Sequence, residues 1–255
     1  MLAVLNVHKI EQKYQAVNGE ITALKEINFS VEKGEFISIV GPSGCGKSTL
    51  LSIIAGLIKP TSGEIHVNGE RIEGISDHIG YMLQKDNLLE WRTIYKNVIL
   101  GLEIRKNLTP ENLERVVQLL KTYELYEFKD KYPSQLSGGM RQRVALIRTL
   151  AINPDILLLD EAFSALDYQT RLTVTNDVYQ ILKQEQVTTL MVTHDIPEGI
   201  SMGDKVVILS SRPAVVKEII PIQFETENRT PLSCRKSPKF SGYFDYIWKE
   251  LASDE

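Results

Sequence analysis

One nine-residue stretch, 41–49, restricts what this chain can fold into more than any other part of its sequence. It reads Gly-Pro-Ser-Gly-Cys-Gly-Lys-Ser-Thr and fits G-x-x-x-x-G-K-[ST], the P-loop, whose backbone N–H groups turn toward a bound phosphate. The apolar run 36–40 predicts a buried strand before the loop, and the run 50–57 predicts a helix after it. Since a phosphate cradle needs a strand, a loop and a helix in this order, we favour a nucleotide-binding α/β protein over a chance glycine-rich turn.

The residues of this loop have distinct chemical roles. Lys47 can reach the β- and γ-phosphates of a nucleotide, and the hydroxyl of Ser48 can ligate Mg²⁺. The helix that begins at the loop adds its partial positive charge to the same site. The residues predicted to contact the nucleotide are Gly41, Pro42, Ser43, Gly44, Cys45, Gly46, Lys47, Ser48 and Thr49.

Charge and cysteine content narrow the class of protein. The chain carries 29 Lys+Arg against 33 Asp+Glu, a net charge of −4, so it has no overall basic field that favours nucleic acid or an anionic membrane. Its two cysteines, Cys45 and Cys234, make no disulfide framework, which indicates a reducing compartment. No apolar run approaches the roughly 18 residues of a membrane span, and no signal peptide is recognisable, so we expect membrane attachment through a partner.

The first 35 residues alternate apolar and polar side chains around Asn18-Gly19, a dipeptide typical of hairpin turns. Tyr14, near the end of the first predicted strand, is either an ordinary strand residue or an aromatic ring that stacks on a nucleotide base. The pattern predicts an antiparallel sheet with strands near 3–14, 22–24 and 27–31.

Beyond the P-loop, the stretch 63–69 predicts a further strand and turn, and 79–84 predicts a buried strand that ends in Gln84. This glutamine either caps a loop or points at a metal. Between about 91 and 154 the pattern becomes helical, with Thr109-Pro110 typical of a helix start.

A second helix is predicted to begin after Ser137-Gly138-Gly139 and to end before Pro154. Serine is a good N-cap residue, so Ser137 could simply cap a helix. The serine and the two glycines could also form an anion site at the helix N-terminus. The residues alone leave the two interpretations even.

Acidic residues follow a run of four apolar residues, 156–159, that is typical of a strand buried in a parallel sheet. Ligands bind at the carboxyl ends of such strands. We therefore predict that Asp160 holds Mg²⁺ and that Glu161 is the base that orients or deprotonates a water, rather than members of an ordinary acidic turn. The strand predicted at 187–193 ends at His194, a candidate γ-phosphate contact, and 205–209 predicts one more strand.

In their order and spacing, these motifs resemble those of ATPase subunits of ABC transporters. The resemblance covers about residues 1–220. It implies an α/β P-loop NTPase fold, with a mainly parallel core sheet flanked by helices, an N-terminal antiparallel β subdomain and a helical signature subdomain at about 91–154. We expect an ATPase domain at 1–222 and a tail at 223–255. The matching residues are 41–49, Gln84, 136–142, 156–161, 164–167 and His194.

The resemblance also implies roles for single residues. Tyr14 would stack on the adenine of ATP, Gln84 would sense Mg²⁺ and the γ-phosphate, and Glu161 would be the catalytic carboxylate. His194 would polarise the γ-phosphate. Each chain of a homodimer would use Ser137, Gly138 and Gly139 to bind the ATP held by the other chain, and Asp167 would help to join the two sites.

Within the family, the chain resembles importer ATPases of the nitrate, sulfonate and taurine group, which includes thiamine-precursor uptake. The resemblance rests on 88–91, 163–171 and 210–213. It implies a peripheral subunit at the cytoplasmic face of the membrane, docked on a transmembrane permease that an extracytoplasmic solute-binding protein serves. The segment 86–93 is expected to meet the permease, and packing of Trp91 in the core is the alternative.

Some features depart from the family pattern or lie outside it. Glu90 and Ala162 stand where proline is common, and Met140 replaces a glutamine of the general signature. A soluble ABC protein that acts on nucleic acid or ribosomes is the rival class, but such proteins usually carry a long coiled-coil insertion or a second cassette. In the tail, the predicted short amphipathic helix would pack on the domain through Tyr243, Phe244, Ile247, Trp248 and Leu251.

Overall fold

The structure is a computed structural model, and it describes residues 3–16, 19–225 and 228–252. The strands are β1 (Ala3–Ala16), β2 (Gly19–Glu32), β3 (Phe36–Val40), β4 (Ser62–Val67), β5 (Glu70–Arg71), β6 (Ile79–Met82), β7 (Ile156–Asp160), β8 (Thr188–Val192), β9 (Lys205–Leu209) and β10 (Val216–Pro221). The α-helices are α1 (Lys47–Ile54), α2 (Ile94–Val98), α3 (Leu100–Ile104), α4 (Pro110–Thr122), α5 (Gly138–Leu150), α6 (Tyr168–Glu185), α7 (Ile196–Met202), α8 (Pro231–Arg235) and α9 (Lys239–Ala252).

A six-stranded sheet forms the centre of the protein, in the order β10-β9-β3-β8-β7-β6. Every neighbouring pair is parallel except β10 and β9, so the prediction of a mainly parallel core sheet is confirmed. β3 and β8 are buried along their whole length, because helices or the second sheet cover both faces. As a result, the chain segments that follow β3, β7, β8 and β9 meet at one edge of the sheet.

A second, antiparallel sheet has the order β2-β1-β4-β5 and carries the N-terminal part of the chain. The two strands predicted at 22–24 and 27–31 are one continuous strand, so that division was wrong. The reason is a bulge: Glu26 adopts a left-handed conformation (φ 49°), and the register of β1 against β2 shifts on either side of Ile27. Asn18 of the predicted turn lies outside the described residues, and Ala16 pairs with Gly19 across it.

Three of the four α-helices between 94 and 150 begin at a capping side chain; α3 is the exception. Thr93, Thr109 and Ser137 each accept a hydrogen bond from a backbone N–H three residues later, which confirms the predicted start of α4. α5 begins at Gly138, two residues earlier than predicted, because Ser137 is its cap. Trp91, which precedes α2, leaves 75% of its surface exposed. Packing of Trp91 in the core was therefore the wrong alternative.

The C-terminal part of the chain folds back on the core sheet. α9 is the predicted amphipathic helix, and its Ile247 is fully buried in a cluster with Val40 and Ile208. Trp248 was predicted to pack on the domain, but it does not join that cluster. It is 59% exposed and stacks on Phe244, because it lies one residue past the buried stripe. Within the described residues, no helix is long and apolar enough to span a membrane.

Candidate nucleotide-binding site

The P-loop connects β3 to α1 and forms one wall of a cavity of about 520 Å³. Gly46 has a φ of 122°, and a Cβ there would come within 2.8 Å of Leu24 Cδ2. A side chain is therefore excluded, since the loop passes close to β2 in a conformation that favours glycine. The cavity is lined by Ser43, Gly44, Gly46, Lys47, Ser48, Thr49, Glu161, His194 and Arg212.

Lys47 brings a positive charge to this cavity. Its ammonium donates to the carbonyl oxygens of Gly41 at 2.8 Å and Pro42 at 2.9 Å, both in the first half of the loop. Cys45 is buried, and burial raises the pKa of its thiol although the charges of Lys47 and Arg212 oppose the shift. Cys45 therefore serves the packing of the loop as a neutral side chain.

A hydroxyl and a carboxylate meet beside the loop. Ser48 Oγ donates to Asp160 Oδ1 at 2.9 Å, and the hydroxyl of Tyr81 donates to Asp160 Oδ2 at 2.9 Å. Burial, and then the charge of Asp160, raise the pKa of Tyr81, which keeps this hydroxyl protonated and able to donate. These are hard oxygen ligands of the kind Mg²⁺ takes when substrate phosphates and water complete its shell. The described residues contain no cluster of three or more His, Cys, Asp or Glu that would suit another metal.

Three of the predicted catalytic residues converge at the ends of β6, β7 and β8. His194 Nδ1 lies 3.2 Å from Glu161 Oε2, and Gln84 Nε2 lies 3.5 Å from the same oxygen. Gln84 also donates to Ser164 Oγ at 3.1 Å. Glu161 has a left-handed backbone (φ 46°), a conformation that non-glycine residues seldom adopt and that is concentrated at functional sites.

A separate cavity of about 590 Å³ at the start of α5 is lined by four other predicted binding residues, Ser137, Gly138, Gly139 and Asp167. Ser137 Oγ accepts from the Met140 N–H at 3.3 Å, so Ser137 does cap the helix. A Cβ at Gly139 would come within 2.9 Å of Val174, so glycine lets α5 approach α6. Asp167 caps α6, and the hydrogen bond from Thr170 holds the pKa of Asp167 below its usual range. Of the described residues, none lines both this cavity and the P-loop cavity.

The comparisons with known proteins decide the family. A family model described as "ABC transporter" matches residues 24–164. The chain belongs to the ABC transporter family. It is 47% identical, over 100% of its length and 98% of the relative's, to an uncharacterized ABC transporter ATP-binding protein, YtlC, of Bacillus subtilis.

Two further relatives carry importer names. The nitrate import ATP-binding protein NrtD of Synechocystis is 38% identical, with 98% of this chain and 96% of the relative covered. The aliphatic sulfonates import ATP-binding protein SsuB of Bacillus cereus is 37% identical, with 89% and 87% covered. A solved structure, the ATP-binding cassette MJ0796 as a dimer bound to ADP and Pi, is 33% identical with a TM-score of 0.72, over 86% of this chain and 99% of that one.

The prediction of an ABC ATP-binding subunit is therefore confirmed, and ATP hydrolysis coupled to transport is the activity of this subunit. Tyr14 lies outside both ABC cavities. Tyr14 is 40% exposed and lies on β1, two residues after Gln12. Gln12 pairs with Leu24 of β2, and Leu24 lies beside Gly46 of the P-loop. Stacking of Tyr14 on adenine stays a prediction.

Three residues of this site were assigned no role from the sequence. Tyr81 and Ser164 hydrogen bond to Asp160 and Gln84, and Arg212 donates to the Gly44 carbonyl oxygen at 2.6 Å. Each lies within a few residues of the carboxyl end of a parallel strand. That position is a signal available in the sequence, because side chains at that edge reach the ligand.

Proposed function

We propose that this protein is the ATP-hydrolysing subunit of an ABC importer. Two copies would dimerise around two ATP molecules with Mg²⁺ and dock on a permease from the cytoplasmic face of the membrane. The importer names of NrtD and SsuB support uptake of a small anion or organic solute such as nitrate or a sulfonate. The family resemblance of the sequence adds taurine and a thiamine precursor to the candidate solutes. An extracytoplasmic solute-binding protein would deliver that solute to the permease.

The observation that carries the proposal is the separation of the two cavities. The P-loop cavity contains Lys47 but no signature residue, and the signature cavity contains Ser137 and Asp167 but no P-loop residue. One chain therefore surrounds only part of a triphosphate. A second copy related by a two-fold axis can bring its signature over the P-loop of the first, and the same contact is then made twice.

The residues around the P-loop fit hydrolysis of the γ-phosphate. Lys47 would bind the β- and γ-phosphates, while Ser48 and Asp160 would hold Mg²⁺ with Gln84 close to the same edge. Bound Mg²⁺ would neutralise charge that develops on the phosphate oxygens. Glu161 would orient the attacking water and accept its proton, and His194, 3.2 Å from Glu161, would donate to the γ-phosphate.

Contacts within the fold support a link from the site to the permease. Arg141 of α5 donates to Asp86 at 2.8 Å and to Glu90 at 2.7 Å, so the signature helix is tied to the segment 86–93. Burial alone would raise the pKa of Asp86, but hydrogen bonds from Arg141 and from the Leu88 N–H lower it. The exposed Trp91 lies in this segment, where a helix of the permease could bind it.

A complementation experiment tests the composite site. The Lys47→Ala substitution would inactivate the P-loop of the chain that carries it. The Ser137→Arg substitution would inactivate the signature that this chain contributes to the site of its partner. Each variant alone should be inactive. A mixture should regain roughly a quarter of the wild-type ATPase activity, because half of the dimers then carry one intact site of two. A mixture that stays inactive while each variant still binds to the permease would contradict the composite site.

Purification of the tagged protein from solubilised membranes tests the importer assignment. We expect a multi-span permease to co-purify, and a solute-binding protein encoded or purified with it would identify the solute. Recovery of ribosomal proteins or nucleic acid without a permease would instead favour a soluble ABC switch.

A further inference from the structure

Arg212 occupies a position beside the P-loop that the motifs above do not explain. It follows β9, and β9 pairs in parallel with β3, the strand that leads into the loop. The guanidinium donates through Nη2 to the Gly44 carbonyl oxygen at 2.6 Å, and Arg212 lines the same cavity as Lys47. A second permanent cation therefore borders the proposed phosphate site.

The backbone around Arg212 is fixed rather than loose. The Ala214 N–H donates to the Ala23 carbonyl, and the Lys25 N–H donates to the Ala214 carbonyl, both at 2.9 Å. The Val215 N–H donates to Ser210 Oγ at 3.0 Å. Arg212 is thus held between the core sheet and β2, where its guanidinium reaches the loop without a large loss of backbone freedom.

The charge of Arg212 has no acidic partner in the described part of the chain. Its described contact is with a neutral carbonyl oxygen, and that contact uses a single N–H of the five that a guanidinium offers. In this respect Arg212 differs from arginines such as Arg92 and Arg141, which form ion pairs with carboxylates. A guanidinium with spare donors at the wall of a cavity is suited to a phosphate, which it can bind through two parallel hydrogen bonds.

The order of the strands indicates which phosphate this is. In the sequence of strands β9-β3-β8-β7, Arg212 comes from the β9 side of the P-loop, whereas Glu161 and His194 come from the β7 and β8 side. The proposed γ-phosphate chemistry is on that second side, so the opposite flank of the loop would lie nearer the nucleoside end of a bound triphosphate. We infer that Arg212 binds the α- or β-phosphate of the nucleotide and not its γ-phosphate, an inference that rests on the proposed binding of ATP at the P-loop.

Nucleotide binding by the full chain tests this inference directly. Arg212→Gln keeps a neutral donor for Gly44 but removes the charge, and Arg212→Lys keeps the charge without the planar fork. With fluorescent N-methylanthraniloyl derivatives of ADP and ATP as probes, we expect Arg212→Gln to weaken the binding of both by about tenfold, because both contain the α- and β-phosphates. Arg212→Lys should lose less affinity than Arg212→Gln. The unfolding temperature without nucleotide should be the same for all three proteins.

Each other result has a definite meaning. Wild-type affinity in Arg212→Gln would overturn the inference and leave Arg212 as a brace for Gly44. A loss confined to the ATP probe would also overturn it, because the contact would then be at the γ end. If the wild-type protein bound neither probe, the proposed function itself would fail, and that result is distinct from both.

Discussion

Replacing Glu198 by glutamine should remove a pH-dependent loss of stability from this protein. Glu198 lies on α7, four residues after His194, and is 4% exposed. Its Oε2 accepts a hydrogen bond from the Thr193 hydroxyl, but no partner of Oε1 is found in the described residues. Burial raises the pKa of Glu198 from 4.5 to about 7, and Asp195 adds to the shift while Arg171 and Arg235 oppose it.

The sign and size of the effect follow from these two pKa values. The folded protein holds a proton on Glu198 that the unfolded chain releases, so the stability from this proton is fully present below pH 4.5 and is lost as the pH rises through about 7. The total loss is about 3 kcal/mol. Between about pH 5.5 and about pH 8 the loss is about 2 kcal/mol, or roughly 4–8 °C in unfolding temperature.

The assay is the free energy of unfolding by urea, compared between wild type and Glu198→Gln across this pH range. The amide changes the free energy of unfolding by an amount that does not depend on pH, so it cancels when two pH values are compared. From about pH 5.5 to about pH 8, the free energy of unfolding of the variant should therefore rise by about 2 kcal/mol relative to that of wild type. Glu70→Gln, at an exposed position on β5, is the matched control and should give a constant difference. A constant difference for Glu198→Gln as well would refute the reasoning, because the carboxyl would then ionise equally in both states.

Two further substitutions test the proposed chemistry. Glu161→Gln removes only the proton acceptor, so its affinity for ATP should stay within about threefold of wild type while its rate of phosphate release falls by at least about 100-fold. The variant should therefore accumulate as an ATP-bound dimer, seen by size-exclusion chromatography. An active, monomeric Glu161→Gln protein would contradict the role of Glu161. Tyr81→Phe removes the donor to Asp160, so the Mg²⁺ concentration for half-maximal activity should rise by about tenfold, while binding of ATP in EDTA stays unchanged. An unchanged Mg²⁺ requirement would show that Tyr81 does not orient Asp160.

The elements around the P-loop could be predicted because their signals are local. Strands such as β7 and β8 are continuous apolar runs, and each is followed at once by the polar residues that reach the ligand edge. Helix starts were predictable where a capping side chain is present. Thr109 before α4 is an example, with proline at the first helical position.

Other elements could not be predicted because tertiary packing creates them. α6 is an exception: no helix was predicted there, although its buried residues Val174, Val178, Ile181 and Leu182 recur at helical spacing. β10 is an edge strand that pairs antiparallel with β9. Its six residues mix charged and apolar side chains without regular alternation, so they give no strand signal. The burial of Glu198 depends on α7 packing between the core sheet and the C-terminal helices, which no local pattern records.

Glu90 shows how a departure from a family pattern can acquire a physical reason. In the sequence, this glutamate stands where proline is common, within the segment proposed to dock on the permease. In the fold, Glu90 accepts from Arg141, which also binds Asp86, while Arg148 donates to the carbonyl oxygens of Asp86 and Asn87. Two arginines of α5 thus hold this segment, so any shift of the signature helix would displace the proposed docking segment or break charge-assisted hydrogen bonds. The carboxylate that departs from the pattern therefore strengthens the proposed connection between the nucleotide site and the permease.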